Sequence, residues 1–175
     1  MTGIPTRRAA LLLGLGGALS GCGFQPVYLS SGKGEEPAVD MAAVNVNPMY
    51  ERPGQILREA LIARLNSNSG DAHHYDLQVN FWVTGEGQAV LNFTQPTRVR
   101  LTGYANWALS ARDKQKTKLV NGSERVMDGF DIFDTQLFAV DLDNEHVQRR
   151  IAEAIADRIK LRLAMWFHQH PSTPG

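Results

Sequence analysis

The chain holds one cysteine, Cys22, so it forms no internal disulfide and draws no stability from cross-links. Neither charge is in excess: 18 Lys and Arg balance 18 Asp and Glu over 175 residues. A basic surplus is what binds nucleic acid, and without one no nucleic-acid partner is expected. No apolar stretch is long enough to cross a bilayer. "AALLLGLGGAL" (9–19) has 11 residues, where a spanning helix needs about 20. Catalytic and metal signatures are also missing. His73 and His74 are adjacent and would point to opposite faces of a strand, which is poor geometry for one metal. His168 and His170 fall at the end of a helical pattern, where the dipole favours them. "DLDNE" (141–145) lacks the glycine and the distal glutamate of a calcium loop. Asp128, Asp131 and Asp134 have no nucleophile motif or histidine near them in sequence and read as satisfied turn acids. The expectation is a protein that is not an enzyme and takes no metal and no dissociable cofactor.

What is present begins with an export signal over 1–21. Arg7 and Arg8 form a positive n-region, 9–19 is an apolar core of the usual length, and small residues precede Cys22. The twin arginine in "PTRRAALLL" is compatible with either export route, and the general one is favoured, because nothing downstream requires folding before export. The order apolar, small, small, cysteine in "LSGC" (19–22) matches the bacterial lipoprotein box. That match implies cleavage before Cys22, an S-diacylglycerol on its thiol and an acyl group on its new amino terminus. At about 0.8 kcal/mol per buried methylene, three acyl chains make attachment effectively permanent. Residue 23 is Gly and not the Asp that marks inner-membrane retention in such lipoproteins, which points to the outer membrane, with the body facing the periplasm. Cleavage removes Arg7 and Arg8 but no acid, leaving 16 basic residues against 18 acidic.

Residues 22–40 read as a lipidated amino terminus and tether, 41–170 as one domain and 171–175 as a flexible tail. In the domain, "AAVNVN" (42–47) is a short strand. Pro53 suits the first turn of a helix that carries Ile56, Leu57, Ala60, Leu61 and Leu65 at helical spacing and ends at Gly70. The period then becomes two. Tyr75, Leu77, Val79, Phe81 and Val83 alternate with His74, Asp76, Gln78, Asn80 and Trp82. A loop is expected over 85–96. A longer strand follows, with Val99, Leu101, Gly103, Ala105, Trp107 and Leu109 on one face and Arg98, Arg100, Thr102, Tyr104 and Asn106 on the other. A charged turn (111–118) leads to an edge-like strand (119–133), where Gly122 and Gly129 suggest bulges. From about Asp143 a helix of some 24 residues places Val147, Ile151, Ile155, Ile159 and Leu163 every four residues. Ala154, Trp166 and Phe167 widen its stripe, and Asp141, Asp143 and Glu145 stand at its start. One apolar face per element predicts an α+β two-layer sandwich, with two helices on one face of a roughly four-stranded mixed or antiparallel sheet and the other face open.

"CGFQPVY" after the lipoprotein box, "TRVRLTGYANWAL", "FDIFDTQ" and "RRIAEAIADRIKLRLAMWF" together resemble the lipopolysaccharide-assembly lipoprotein family LptE, especially its alphaproteobacterial branch. The resemblance lies in the order of these segments and covers essentially the whole mature chain. It implies the same fold, and a role as plug and assembly partner of the outer-membrane barrel LptD, through which lipopolysaccharide reaches the surface.

The residues themselves suit such a surface. Trp82 and Tyr104 fall on the polar side of their strands among amides, as expected of a face that meets a hydrated wall. Arg98, Arg100, Lys114 and Lys116 belong to a basic set on one strand and its turn that could bind lipid phosphates by charge-assisted hydrogen bonds. A solvated hairpin edge kept soluble by its lysines accounts for the turn equally well, and Arg98 and Arg100 are the better candidates because a strand holds them rigidly. Two other classes stay open: a generic periplasm-facing lipoprotein that binds a lipid or peptidoglycan fragment on the open sheet, and a hydrolase, disfavoured by the absence of a Ser-His or Cys-His motif.

Overall fold

The structure is a computed structural model that describes residues 40–67, 72–91, 95–131 and 137–170, with only the backbone described over 89–91, 95–97 and 137–141. The signal, Cys22, the tether, Gly70, most of the "FDIFDTQ" segment and the tail lie outside these residues. Six elements follow in order: β1 (Val44–Val46), α1 (Arg52–Leu65), β2 (Tyr75–Leu91), β3 (Gln95–Ala111), β4 (Lys118–Asp131) and α2 (Leu137–Gln169). They form a four-stranded sheet in the order β1-β2-β3-β4, with both helices on one face. β1 runs parallel to β2 and the other two pairings are antiparallel, so the sheet is mixed.

The alternation in the strands decides which side chains go inward. Leu77, Val79 and Phe81 of β2 and Leu101, Ala105, Trp107 and Leu109 of β3 are buried beneath the helices. α1 covers β1 and β2, and α2 covers β3 and β4. Val147, Ile151, Ile155, Ile159, Leu163 and Phe167 form a stripe along α2 with no more than 1% exposure at any position. Ala152, Ala156 and Ala164 complete that stripe, whereas Ala154, expected in it, is only half-buried. Gly103 lets α2 approach: a Cβ there would run into Cγ2 of Ile151 and stand 3.1 Å from Phe81 Cε2. The helices lie side by side and run the same way. Arg52 bonds Glu145 at 2.6 Å and Arg64 bonds Asp157 at 2.5 Å, the same interval along both helices.

Four details differ from the sequence expectation. α1 stops at Leu65, short of Gly70, because Asn66 takes the left-handed conformation (φ 58°) and Ser67 N–H closes back on Ile62 O at 3.2 Å. Asparagine tolerates that conformation better than most residues, so no glycine is needed. The expected loop over 85–96 is largely strand: the β2–β3 ladder continues through Gly85↔Leu101 and Gly87↔Val99 to Leu91↔Gln95. Pairing to a long partner overrides the turn preference of "GEG". Gly122 and Gly129 are in register, opposite Trp107 and Arg100, and the one irregularity lies at Leu109/Ser110. Gly122 instead makes room for the Trp107 indole, since a Cβ there would come within 2.7 Å of Cζ2. Finally, α2 has 33 residues, about 50 Å at 1.5 Å each, and begins at Leu137. No glycine or proline interrupts residues 137–142, so the helix extends upstream of its acids and its first turn holds none.

Candidate interaction face

The strand registers turn the open face of the sheet into rows of side chains. At its centre Trp82, Tyr104 and Arg125 stand side by side across β2, β3 and β4. The Trp82 and Tyr104 rings stack with centroids 5.4 Å apart and planes 14° apart. Arg125 lies over the other side of Tyr104, its guanidinium carbon 5.4 Å from the ring centroid. Stacking and cation–π attraction hold this row as a unit, each contact contributing on the order of 1 kcal/mol. Towards the β3–β4 turn the next rows are polar: Asn80, Asn106 and Ser123, then Gln78, Ala108 and Asn121, which border a shallow depression with Lys118. Below them Asn45 donates to Asp76 at 2.8 Å.

In the other direction the rows are Thr84, Thr102 and Met127, then Glu86, Arg100 and Gly129, then Gln88, Arg98 and Asp131. Arg98 and Arg100 therefore share the face of Trp82 and Tyr104, as expected from the alternation. They are not bare cations. Arg98 pairs with Asp131 at 3.3 Å, both 55% exposed, and Arg100 faces Glu86 across the ladder. An exposed pair of this kind contributes about 0–1 kcal/mol, so an incoming phosphate could displace the carboxylate at little cost. Lys114 and Lys116 are exposed in the turn after β3, at the opposite end of the strand. Ala111 lies eleven positions beyond Arg100 along β3, roughly 36 Å away, so the lysines and the arginines do not form one basic patch. Asp113 shapes that turn: it accepts from the backbone N–H (3.1 Å) and hydroxyl (2.9 Å) of Thr117, and these bonds hold its carboxyl below the ordinary range.

Asp128 and Asp131 lie in a strand and not in turns, and they face opposite sides of the sheet. Asp131 meets Arg98 on the open face, whereas Asp128 meets Arg150 of α2 at 2.7 Å. The bond from Arg150 lowers the Asp128 carboxyl below its ordinary value, and a second bond from Gly129 N–H, 2.7 Å long, adds to it. Asp134 lies outside the described residues. His170 stacks on Trp166 at the end of α2, with ring centroids 4.8 Å apart. Among the described residues no group of three His, Cys, Asp or Glu is placed to hold a metal, and no helix is long and apolar enough to cross a membrane. Arg125 is the member of the central row that the sequence did not reveal. Its place depends on the β3–β4 register, and only the alternation of β4 could have hinted at it.

A short sheet-edge strand, a parallel helix pair on one face and an open polar face with an aromatic centre constitute the geometry to be matched. The sequence fits the family model described as LptE, lipopolysaccharide-assembly, over residues 37–163. The chain belongs to the LptE family. Solved structures repeat the LptE-family fold seen here. A crystal structure of a candidate lipoprotein from Caulobacter crescentus CB15 superimposes with a TM-score of 0.65 at 23% identity, covering 75% of this chain and 96% of that one. Rare lipoprotein B from Shewanella oneidensis gives a TM-score of 0.54 at 14% identity, covering 72% of this chain and 95% of that one. No curated protein sequence matches the chain. Family membership and fold agree with the resemblance read from the segments, and they make this an LptE-type lipopolysaccharide-assembly lipoprotein.

Proposed function

We propose that the mature protein is anchored in the outer membrane by lipid on Cys22 and serves as plug and assembly partner of the LptD barrel, with its open sheet face towards the barrel wall or the passing lipopolysaccharide. The observation that carries this reading is the composition of that face. A rigid aromatic and guanidinium row is flanked by amides and hydroxyls on one side and by paired charges on the other. Such a surface is too polar to be a missing core and too ordered to be mere solvated edge. It complements the polar, hydrated interior of a large barrel. Arg98 would meet a phosphate by exchanging Asp131 for it, Arg100 would meet one beside its cross-strand neighbour Glu86, and Trp82 and Tyr104 would pack against sugar or wall residues. Lys114 and Lys116 would make a separate contact at the far end.

The test is capture of the tagged, lipidated chain from outer membranes in mild detergent. A large barrel in near-equal amount is the expected result. Recovery without a barrel, but with bound lipid or glycan fragments, would replace this reading with that of a ligand-binding lipoprotein.

A further inference from the structure

The two long edges of the sheet are treated differently. β3 covers one side of β2 along its length, but β1 covers the other only at residues 75–77. Tyr75 N–H donates to Ala43 O at 3.3 Å, and Leu77 O accepts from Asn47 N–H at 3.0 Å. Odd-numbered residues of β2 thus turn their backbone groups towards the β1 side and even-numbered residues turn theirs towards β3, as the ladder requires. Beyond Leu77 the same parity points the N–H and C=O of Val79, Phe81, Val83, Gly85 and Gly87 outward. No described residue bonds them. From Val79 to Gly87 they run in line for about 27 Å.

The outer edge of β4 is guarded by contrast. Arg158 Nη1 donates to the outward carbonyl of Arg125 at 2.7 Å, and Arg150 and Arg162 of α2 hold Asp128 and Glu124 beside it. Natural edges are normally blocked by charge, proline or a bulge. Residues 78–88 of β2 have one charge, Glu86, with no lysine, no proline and no break in register. A groove runs beside this edge between residues 47–51 and 78–82, with Tyr50 93% exposed and Trp82 38% exposed at its sides. Tyr104 covers only the β3 side of Trp82.

We infer that the β2 edge from Val79 to Gly87, unpaired among the described residues, takes up one extended strand of a protein partner by main-chain pairing. This rests on the reading that the chain is built into a larger outer-membrane assembly. Only a polypeptide backbone offers acceptors and donors at the repeat the edge presents. The side chains of the incoming strand would alternate. One set would lie beside Val79, Phe81 and Val83 at the margin of the core, and the other beside Asn80, Trp82 and Thr84 on the open face, so a segment alternating apolar with polar or aromatic residues fits. A second copy fits less well: joined edge to edge by a two-fold axis, it would have to seat a whole sheet and its helices beside the 47–51 loop, while a single strand needs only the usual spacing of about 4.8 Å.

The test uses the tagged, lipidated full chain in its membrane assembly. Val83→Pro and Gly85→Pro each remove one outward donor and place a ring where the strand would lie, leaving the even-numbered β2–β3 bonds intact. Both β2 variants should lower the captured partner about tenfold, the equivalent of one or two lost hydrogen bonds. Amides of Val79, Phe81, Val83 and Gly85 should exchange at least about tenfold more slowly in the wild-type assembly than in the isolated lipid-free chain. If a proline variant melts early, the exchange comparison on the wild type decides alone. Unchanged capture in both folded β2 variants, unchanged exchange, or a self-association that the β2 prolines dissolve would each overturn the inference. A wild-type chain that captures no barrel overturns the functional reading as well, which separates the two failures.

Discussion

Gly103 and Ile151 offer a sharp test of how the two layers meet. A methyl group added at Gly103 would stand far inside contact distance of Cγ2 of Ile151 and crowd Ile155 Cδ1 at 3.3 Å. Ile151 is fully buried, so it cannot swing into solvent to relieve the clash. Gly103→Ala should therefore cost about 1–3 kcal/mol by overpacking. Ile151→Ala alone removes a fully buried side chain and should cost about 2–5 kcal/mol. In the double variant the new methyl enters the space vacated by Cγ2. The combined loss should fall short of the sum by about 1–3 kcal/mol, a coupling typical of residues in contact. Urea denaturation of the soluble mature chain at constant m-value measures all three, and each kcal/mol should move the melting temperature by about 3–5 °C for a body of this size. Strict additivity, or a neutral Gly103→Ala, would mean that α2 does not bear on β3 at this point.

The other expectations are simpler. Cys22→Ala should abolish incorporation of labelled palmitate and leave precursor or a soluble periplasmic form; normal labelling would remove the lipoprotein-box assignment. Charge reversal of Arg98 and Arg100 together should weaken binding to purified lipopolysaccharide with the melting temperature little changed, since exposed substitutions usually stay within about 0.5 kcal/mol; an equal effect from reversing Lys114 and Lys116 would move the contact to the turn. Asp128 has its folded pKa depressed below the ordinary 3.8 chiefly by the bond from Arg150. Its contribution is therefore present above that value and lost as pH falls through the lower folded one, and Asp128→Asn should flatten this part of the acid limb of a stability–pH curve. The effect should be at most about 1 kcal/mol because the Arg150 side chain is 56% exposed. A steeper acid limb in the variant would contradict the sign.

Which residues face the core was legible because burial follows period. The two-residue alternation of β2 and β3 and the four-residue spacing from Val147 to Leu163 each pick out one face, and a face made of Val, Ile, Leu and Phe has to be covered. The same reasoning placed Trp82, Tyr104, Arg98 and Arg100 together on the exposed side, and the ordered segments around them pointed to the family that the match over 37–163 establishes.

Local signals failed where a distant partner outweighed them. "GEG" reads as a turn, yet it is held extended by β3, and Gly122 reads as a bulge, yet it is a seat for Trp107. Which side chain stands beside which across strands depends on register, and register is a property of two segments at once. The sequence by itself therefore determined the layers, the faces and the kind of residue on each. Only the tertiary structure decided that Arg125 completes the Trp82–Tyr104 row, that Arg98 and Arg100 have acidic neighbours while the turn lysines stand far away, and that a β1 of three residues leaves most of the β2 edge without a partner among the described residues. Periodicity is written along one segment, whereas pairing and its absence arise only when segments meet.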